Sequence, residues 1–172
     1  AATVQDLVAQ GEAARLDAFK ASDGIGHAVA GLGDFTGDGV PDILAGSWLD
    51  DTDAGTDAGS VLVFSGANGA YVRRLTDPAG VSYDYLGRRV VAVADMTGDG
   101  VPDILASAYA DESGSVGNAG SVVLFNGATG AFVRKYTDPQ PGVNDYLGWG
   151  LAVAPDRNGD GDELQQHRPG GL

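Results

Sequence analysis

Between residues 23 and 144 the chain alternates short apolar runs with polar, glycine-rich ones. Runs near 26–32, 41–47 (PDILAGS), 59–65 (GSVLVFS) and 70–76 (AYVRRLT) are rich in Val and aromatic residues and bounded by Gly, Asp and Pro, which predicts four short strands. The first run ends at an acidic loop, and the second is followed by the polar stretch WLDDTDAGTDA. GANG between the third and fourth predicts a tight hairpin turn, and Asp77-Pro78 ends the fourth.

The pattern then repeats. Asp34, Asp95 and Asp156 fall at equal intervals of 61 residues, as do Ile25-Gly26, Leu86-Gly87 and Leu147-Gly148. AGSVLVFSGANGAYVRRLTDP at 58 returns as AGSVVLFNGATGAFVRKYTDP at 119, and about half of positions 23–83 match their partners in 84–144. A four-stranded unit of this size fits a propeller blade better than half a sandwich, and such units need neighbours to bury their faces. The expected fold is therefore all-β, a partial β-propeller of four-stranded antiparallel blades. The divisions are blade 1 at 23–83, blade 2 at 84–144 and a partial blade 3 at 145–162, with 163–172 a broken or disordered tail. Residues 1–22 form an N-terminal segment. Its Thr-x-x-Asp start with Val4, Leu7, Val8, Leu16 and Phe19 suits a short amphipathic helix, while 12–20 also reads as the remnant outer strand of a preceding blade.

Composition narrows the partners. The net charge is −14 and most of the acid is Asp, which favours turns and metal loops over helices. An acidic surface argues against nucleic acid and anionic membranes, and no apolar run approaches a membrane span. Cysteine is absent, so a thiol nucleophile is too.

The chemistry concentrates in DFTGDGVPD at 34 and DMTGDGVPD at 95. Oxygen donors at alternate positions can curl around a hard cation, and Ca²⁺ takes six to eight oxygens. The candidate ligands are Asp34, Thr36, Asp38, the Val40 carbonyl and Asp42 in the first loop. Asp95, Thr97, Asp99, the Val101 carbonyl and Asp103 are their counterparts in the second. Gly37 and Gly39 permit the bend, and Pro41 fixes φ at the next strand. An EF-hand would need Glu at position 12, where Ala45 and Ala106 stand instead. The bland alternative is a pair of Asx-turns satisfying backbone donors. Against it, three close carboxylates per loop repel one another unless a cation sits between them. A third copy with Asp156, Asn158, Asp160 and Asp162 lacks two residues of the pattern, so that site is expected to be weak or absent.

With Ile25-Gly26, Leu86-Gly87 and Leu147-Gly148 before it, the D-x-T-G-D-G-x-P-D loop resembles the FG-GAP repeats of integrin α-subunit propellers and many bacterial secreted proteins. The later GAP element is matched only loosely, by Ala45-Gly46-Ser47 and Ala106-Ser107-Ala108. The resemblance spans roughly 23–162. It implies a propeller with Ca²⁺ in each intact loop, an extracellular or cell-surface location, and a binding or adhesion role. Two complete units fall short of a ring, so further blades or a homo-oligomer would have to complete it.

The resemblance further implies a protein or carbohydrate ligand, met on the face opposite the calcium loops. Trp48, Tyr83 and Tyr109 are the candidate contacts there, while Tyr85 and Tyr146, which repeat with the unit, read rather as packing residues. Asp50, Asp51, Asp53 and Asp57 are expected to form a solvated loop. His27, His167 and the scattered Glu12, Glu112 and Glu163 make no catalytic constellation, so the chain reads as a non-enzyme. The alternatives are a non-catalytic propeller segment of a secreted hydrolase or lyase, and a purely architectural repeat of a surface protein.

Overall fold

The computed structural model describes residues 22–112 and 114–153. Eight strands run in chain order: β1 (Ile25–Gly31), β2 (Ile43–Ser47), β3 (Ser60–Phe64), β4 (Tyr71–Leu75), β5 (Leu86–Val93), β6 (Asp103–Ala108), β7 (Ser121–Phe125) and β8 (Phe132–Thr137). They form two four-stranded antiparallel sheets, β1-β2-β3-β4 and β5-β6-β7-β8, and no helix occurs among the described residues. The N-terminal residues 1–21, the third acidic loop at 156–162 and the tail at 163–172 lie outside the described residues.

Each sheet is a plain meander because every connection suits an antiparallel turn. Registers repeat with the sequence: Leu44 pairs Val63 as Leu105 pairs Leu124. Irregularities repeat as well, between Ile25 and Val29 and between Leu86 and Val90 at the first pairing of each sheet.

The sheets pack front to back. Leu44, Val61, Val63 and Leu75 of the first join Ile104, Ala106, Ala108, Val123 and Phe125 of the second in one apolar cluster. Leu44 and Ile104 stand one place apart in the aligned repeat (Leu44 corresponds to Leu105), so the sheets offer opposite faces to a common core. Leu44, Leu86, Ile104 and Phe125 are fully buried, each contributing roughly 1.5–3 kcal/mol by burial.

A second seam is made of backbone. The amides of Tyr83, Tyr85 and Leu86 donate to the carbonyls of Thr56, Asp57 and Ala58. One period later, Asn144, Tyr146 and Leu147 do the same to Gly117, Asn118 and Ala119. The path requires positive φ at Asp57, Tyr83 and Tyr85 and again at Asn118, Asn144 and Tyr146. Such strain persists only where its surroundings over-determine it.

Candidate functional site

Both acidic loops join the first two strands of their sheet. Gly37 and Gly39 hold φ of 76° and 84°, and Gly98 and Gly100 hold 81° and 87°, a region that side chains rarely adopt. That bend points successive amides at the first carboxylate. Asp34 accepts from Gly37 (2.7 Å), Asp38 (3.0 Å) and Gly39 (2.7 Å). Asp95 accepts from Thr97, Gly98, Asp99 and Gly100. The Gly39 amide foremost holds the Asp34 carboxyl below its ordinary range, and the Gly100 amide does the same for Asp95.

The last aspartate is buried and ties the loop down. Asp42 is 1% exposed, and its carboxylate accepts from the amides of Phe35, Thr36 and Gly66. Asp103 likewise accepts from Met96 and Gly127. The acidic loop and the β3–β4 turn are thereby stapled together at one end of the sheet. Gly66 and Gly127 have no room for a side chain, since an added Cβ would overlap the carbonyl of Pro41 or Pro102.

Asp38 is exposed and caps only the Val40 amide (2.9 Å). Asp99 caps Val101 but also accepts from Asn126, which further donates to the Thr97 hydroxyl at 2.9 Å. Ser65 holds the position equivalent to Asn126, so the first loop lacks that brace. Each loop thus gathers its three aspartates into one turn, where they face backbone amides. No group of three acidic or imidazole side chains stands ready to hold a metal among the described residues. The donor set is all oxygen, as a hard cation requires, but Asp34 Oδ1 and Asp42 Oδ2 each accept from two amides and Asp95 Oδ1 from three, so a cation would compete with backbone donors there.

At the opposite end of the sheets the aromatic candidates come together. Ring centroids run Trp48 to Tyr85 at 5.4 Å, Tyr85 to Tyr109 at 5.5 Å, Tyr109 to Tyr146 at 5.9 Å and Tyr146 to Trp149 at 5.8 Å. Tyr83 flanks Tyr85 at 6.4 Å and is 54% exposed. Sequence reasoning missed Trp149 and Arg88 and set His27 aside, though the three occupy one repeat position in three successive units. The Arg88 guanidinium lies 5.3, 5.8 and 5.7 Å from the rings of Trp48, Tyr109 and Trp149. Gly24 stands where Tyr85 and Tyr146 stand one and two periods on, and Trp48 fills the space its side chain would need, with Nε1 2.6 Å from an ideal Cβ.

Asp50 corrects an expectation, because it is no part of a solvated loop. It is 2% exposed, bonded by the Ser60 hydroxyl at 2.5 Å and paired with Arg74 at 3.1 Å. The signal was available: Asp50 repeats as Asp111, whereas Asp51, Asp53 and Asp57 become Glu112, Gly114 and Asn118. In the second unit Ser121 and Lys135 bind Asp111 in the same way, and Lys135 also reaches Asp77 at 2.6 Å. Burial alone would lower the Lys135 pKa, but Asp111 and Asp77 more than offset it and raise it. Nearby Asp84 is pushed up to about 6, chiefly by burial and further by Asp111 and Asp77. Asp77 also lines a cleft of about 750 Å³ with Asp51, Thr52, Asp53 and Arg74.

A scan against protein-family models and a search of curated proteins find no match to this chain. No helix among the described residues is long and apolar enough to cross a membrane.

Proposed function

We propose that this chain is a calcium-braced binding module of FG-GAP type, its two sheets acting as blades of a propeller that works outside the cell. One observation carries the reading. The same nine-residue loop recurs after 61 residues with the same hydrogen-bond plan, its first aspartate holding the bend and its last buried as an anchor. A chain of net charge −14 that keeps three carboxylates in each such loop gains from any cation that joins them. Asp34, Asp38 and Asp42, with Asp95, Asp99 and Asp103, would hold it, assisted by Thr36, Thr97 and the carbonyls of Val40 and Val101. Bound Ca²⁺ would supply charge neutralisation and loop rigidity. Extracellular calcium modules bind at about 10⁻⁴ to 10⁻³ M, which is the basis for placing this one outside the cell.

The amide-satisfied aspartates also favour a second reading, in which the loops are self-sufficient turns and the chain is purely architectural. Thermal unfolding at fixed ionic strength, in 10 mM Ca²⁺ and in excess chelator, separates the two. At one hundred times Kd a site gains about 2.7 kcal/mol by mass action. A calcium-specific rise of several degrees, removed by Asp38→Ala with Asp99→Ala, is the expected result. Equal midpoints would leave the loops as plain turns and remove the support for an extracellular role.

A further inference from the structure

The aromatic row carries a cationic pair that no carboxylate among the described residues neutralises. Arg88 and Arg89 both direct Nη1 at His27 Nε2, Arg89 from 3.5 Å, and neither forms an ion pair with a carboxylate among the described residues. In a chain with 24 acidic and 10 basic residues, Arg74 and Lys135 do find carboxylates. Two guanidiniums gathered on one imidazole repel each other, and burial first, then Arg88 and Arg89, lower the pKa of that imidazole. An anion placed between the guanidiniums would relieve that repulsion. Arg88 also fills the space between Trp48, Tyr109 and Trp149, so the cage holds its own cation and has no vacancy for a foreign one.

From this geometry we infer that the row Trp48–Tyr85–Tyr109–Tyr146–Trp149, with Arg88 and Arg89, binds a carbohydrate bearing a carboxylate, a uronic-acid residue within a glycan. The inference rests on the binding-module reading above but on none of its calcium ligands. A planar guanidinium takes a carboxylate through two parallel hydrogen bonds, and Arg88 is oriented by three rings before any ligand arrives. Tyr and Trp present a flat apolar body and a polar tip, which suits a sugar ring with one apolar face and a hydroxylated rim. A proline-rich peptide also docks on aromatic strips, but it brings no carboxylate for Arg88 and Arg89.

The protein supplies its own probe. Its two tryptophans, Trp48 and Trp149, both lie in the row, so intrinsic tryptophan fluorescence reports on this site alone. The full chain in Ca²⁺ is titrated with trigalacturonate, maltotriose, an acidic hexapeptide and an oligothymidylate. The expected result is a saturable change with trigalacturonate, weaker by about tenfold or more with maltotriose and with Arg88→Gln. Trp149→Ala, at a side chain 57% exposed, should weaken trigalacturonate binding, followed by calorimetry, without lowering the unfolding midpoint. Equal response to maltotriose would overturn the role of the carboxylate, and preference for the peptide or the oligonucleotide would overturn the ligand class. No response to any probe, with the calcium-dependent midpoint intact, would sink this inference and leave the calcium reading standing.

Discussion

Lys135→Met is the substitution whose cost the structure defines best. The Lys135 ammonium sits 2.6 Å from Asp77 and 2.7 Å from Asp111, and those carboxylates are only 3% and 6% exposed. Asp77 follows β4 of one sheet and Asp111 follows β6 of the other, so the ammonium bridges the two sheets. Removing it strands both charges beside Asp84. Breaking a buried pair from one side costs about 3–5 kcal/mol, and the 18% exposure of Lys135 lowers this to roughly 2–4 kcal/mol. At about 2–4 °C per kcal/mol for a chain of this size, the midpoint should fall by roughly 4–16 °C near neutral pH. The pH dependence fixes the cause. Lys135 has a raised pKa, so its contribution is full below 10.5 and is lost only at higher pH. Between pH 7.5 and pH 5 the group that takes up a proton is Asp84, at about 6, whose charged form Lys135 favours, so the deficit should shrink in acid as Asp84 is neutralised. Urea denaturation of both proteins at the two pH values measures it, with exposed Arg134→Met as a control expected within about 0.5 kcal/mol. A loss under about 1 kcal/mol at pH 7.5, or an equal loss at both pH values, would refute the reasoning.

Asp84, with a folded pKa of about 6 against an ordinary 3.8, should make the protein lose stability as pH rises from about 4 to 6 and hold steady above. The full shift is worth roughly 3 kcal/mol, reduced to about 1–2 by screening from the nearby cleft, and Asp84→Asn should recover that amount at pH 7 and flatten the slope in pH-resolved melts. Gly127→Ala should cost about 2–3 kcal/mol in chemical denaturation, because its Cβ meets the rigid Pro102 carbonyl rather than a yielding side chain. Asp42→Asn should destabilise the protein in chelator as well as in Ca²⁺, by about 1–3 kcal/mol, since it disturbs three amide contacts to a buried carboxylate. Asp38→Ala, which loses only one exposed cap, should leave the midpoint in chelator unchanged within about 0.5 kcal/mol.

The strands and their order were legible in the sequence because Val-rich runs, turn residues and the 61-residue period agreed with one another. All eight strands fall within or beside the runs expected for them. The bend at Gly37 and Gly39 was legible too, since alternate glycines among aspartates leave few other conformations. Asp50 was misread because four acids in one loop look alike until each is compared with its counterpart one period later. The column of His27, Arg88 and Trp149 was overlooked for the opposite reason. Its backbone position repeats while its chemistry changes, so a search for identical residues passes over it. The front-to-back packing was hidden as well, because strands buried on both faces lack the alternation that would name the inner one.

The backbone seam from 56–58 to 83–86 makes the covalent and the hydrogen-bonded boundaries of a unit fall in different places. Each unit's long loop grips the chain just as it enters the next unit, so the units overlap in the manner of roof tiles. The hold has a direction: a unit clasps its successor with a loop made from its own middle, and is itself clasped at its first residues by its predecessor. A gain or loss of 61 residues therefore keeps each clasp in register, whereas a deletion inside a clasping loop leaves the entry to the next unit ungripped.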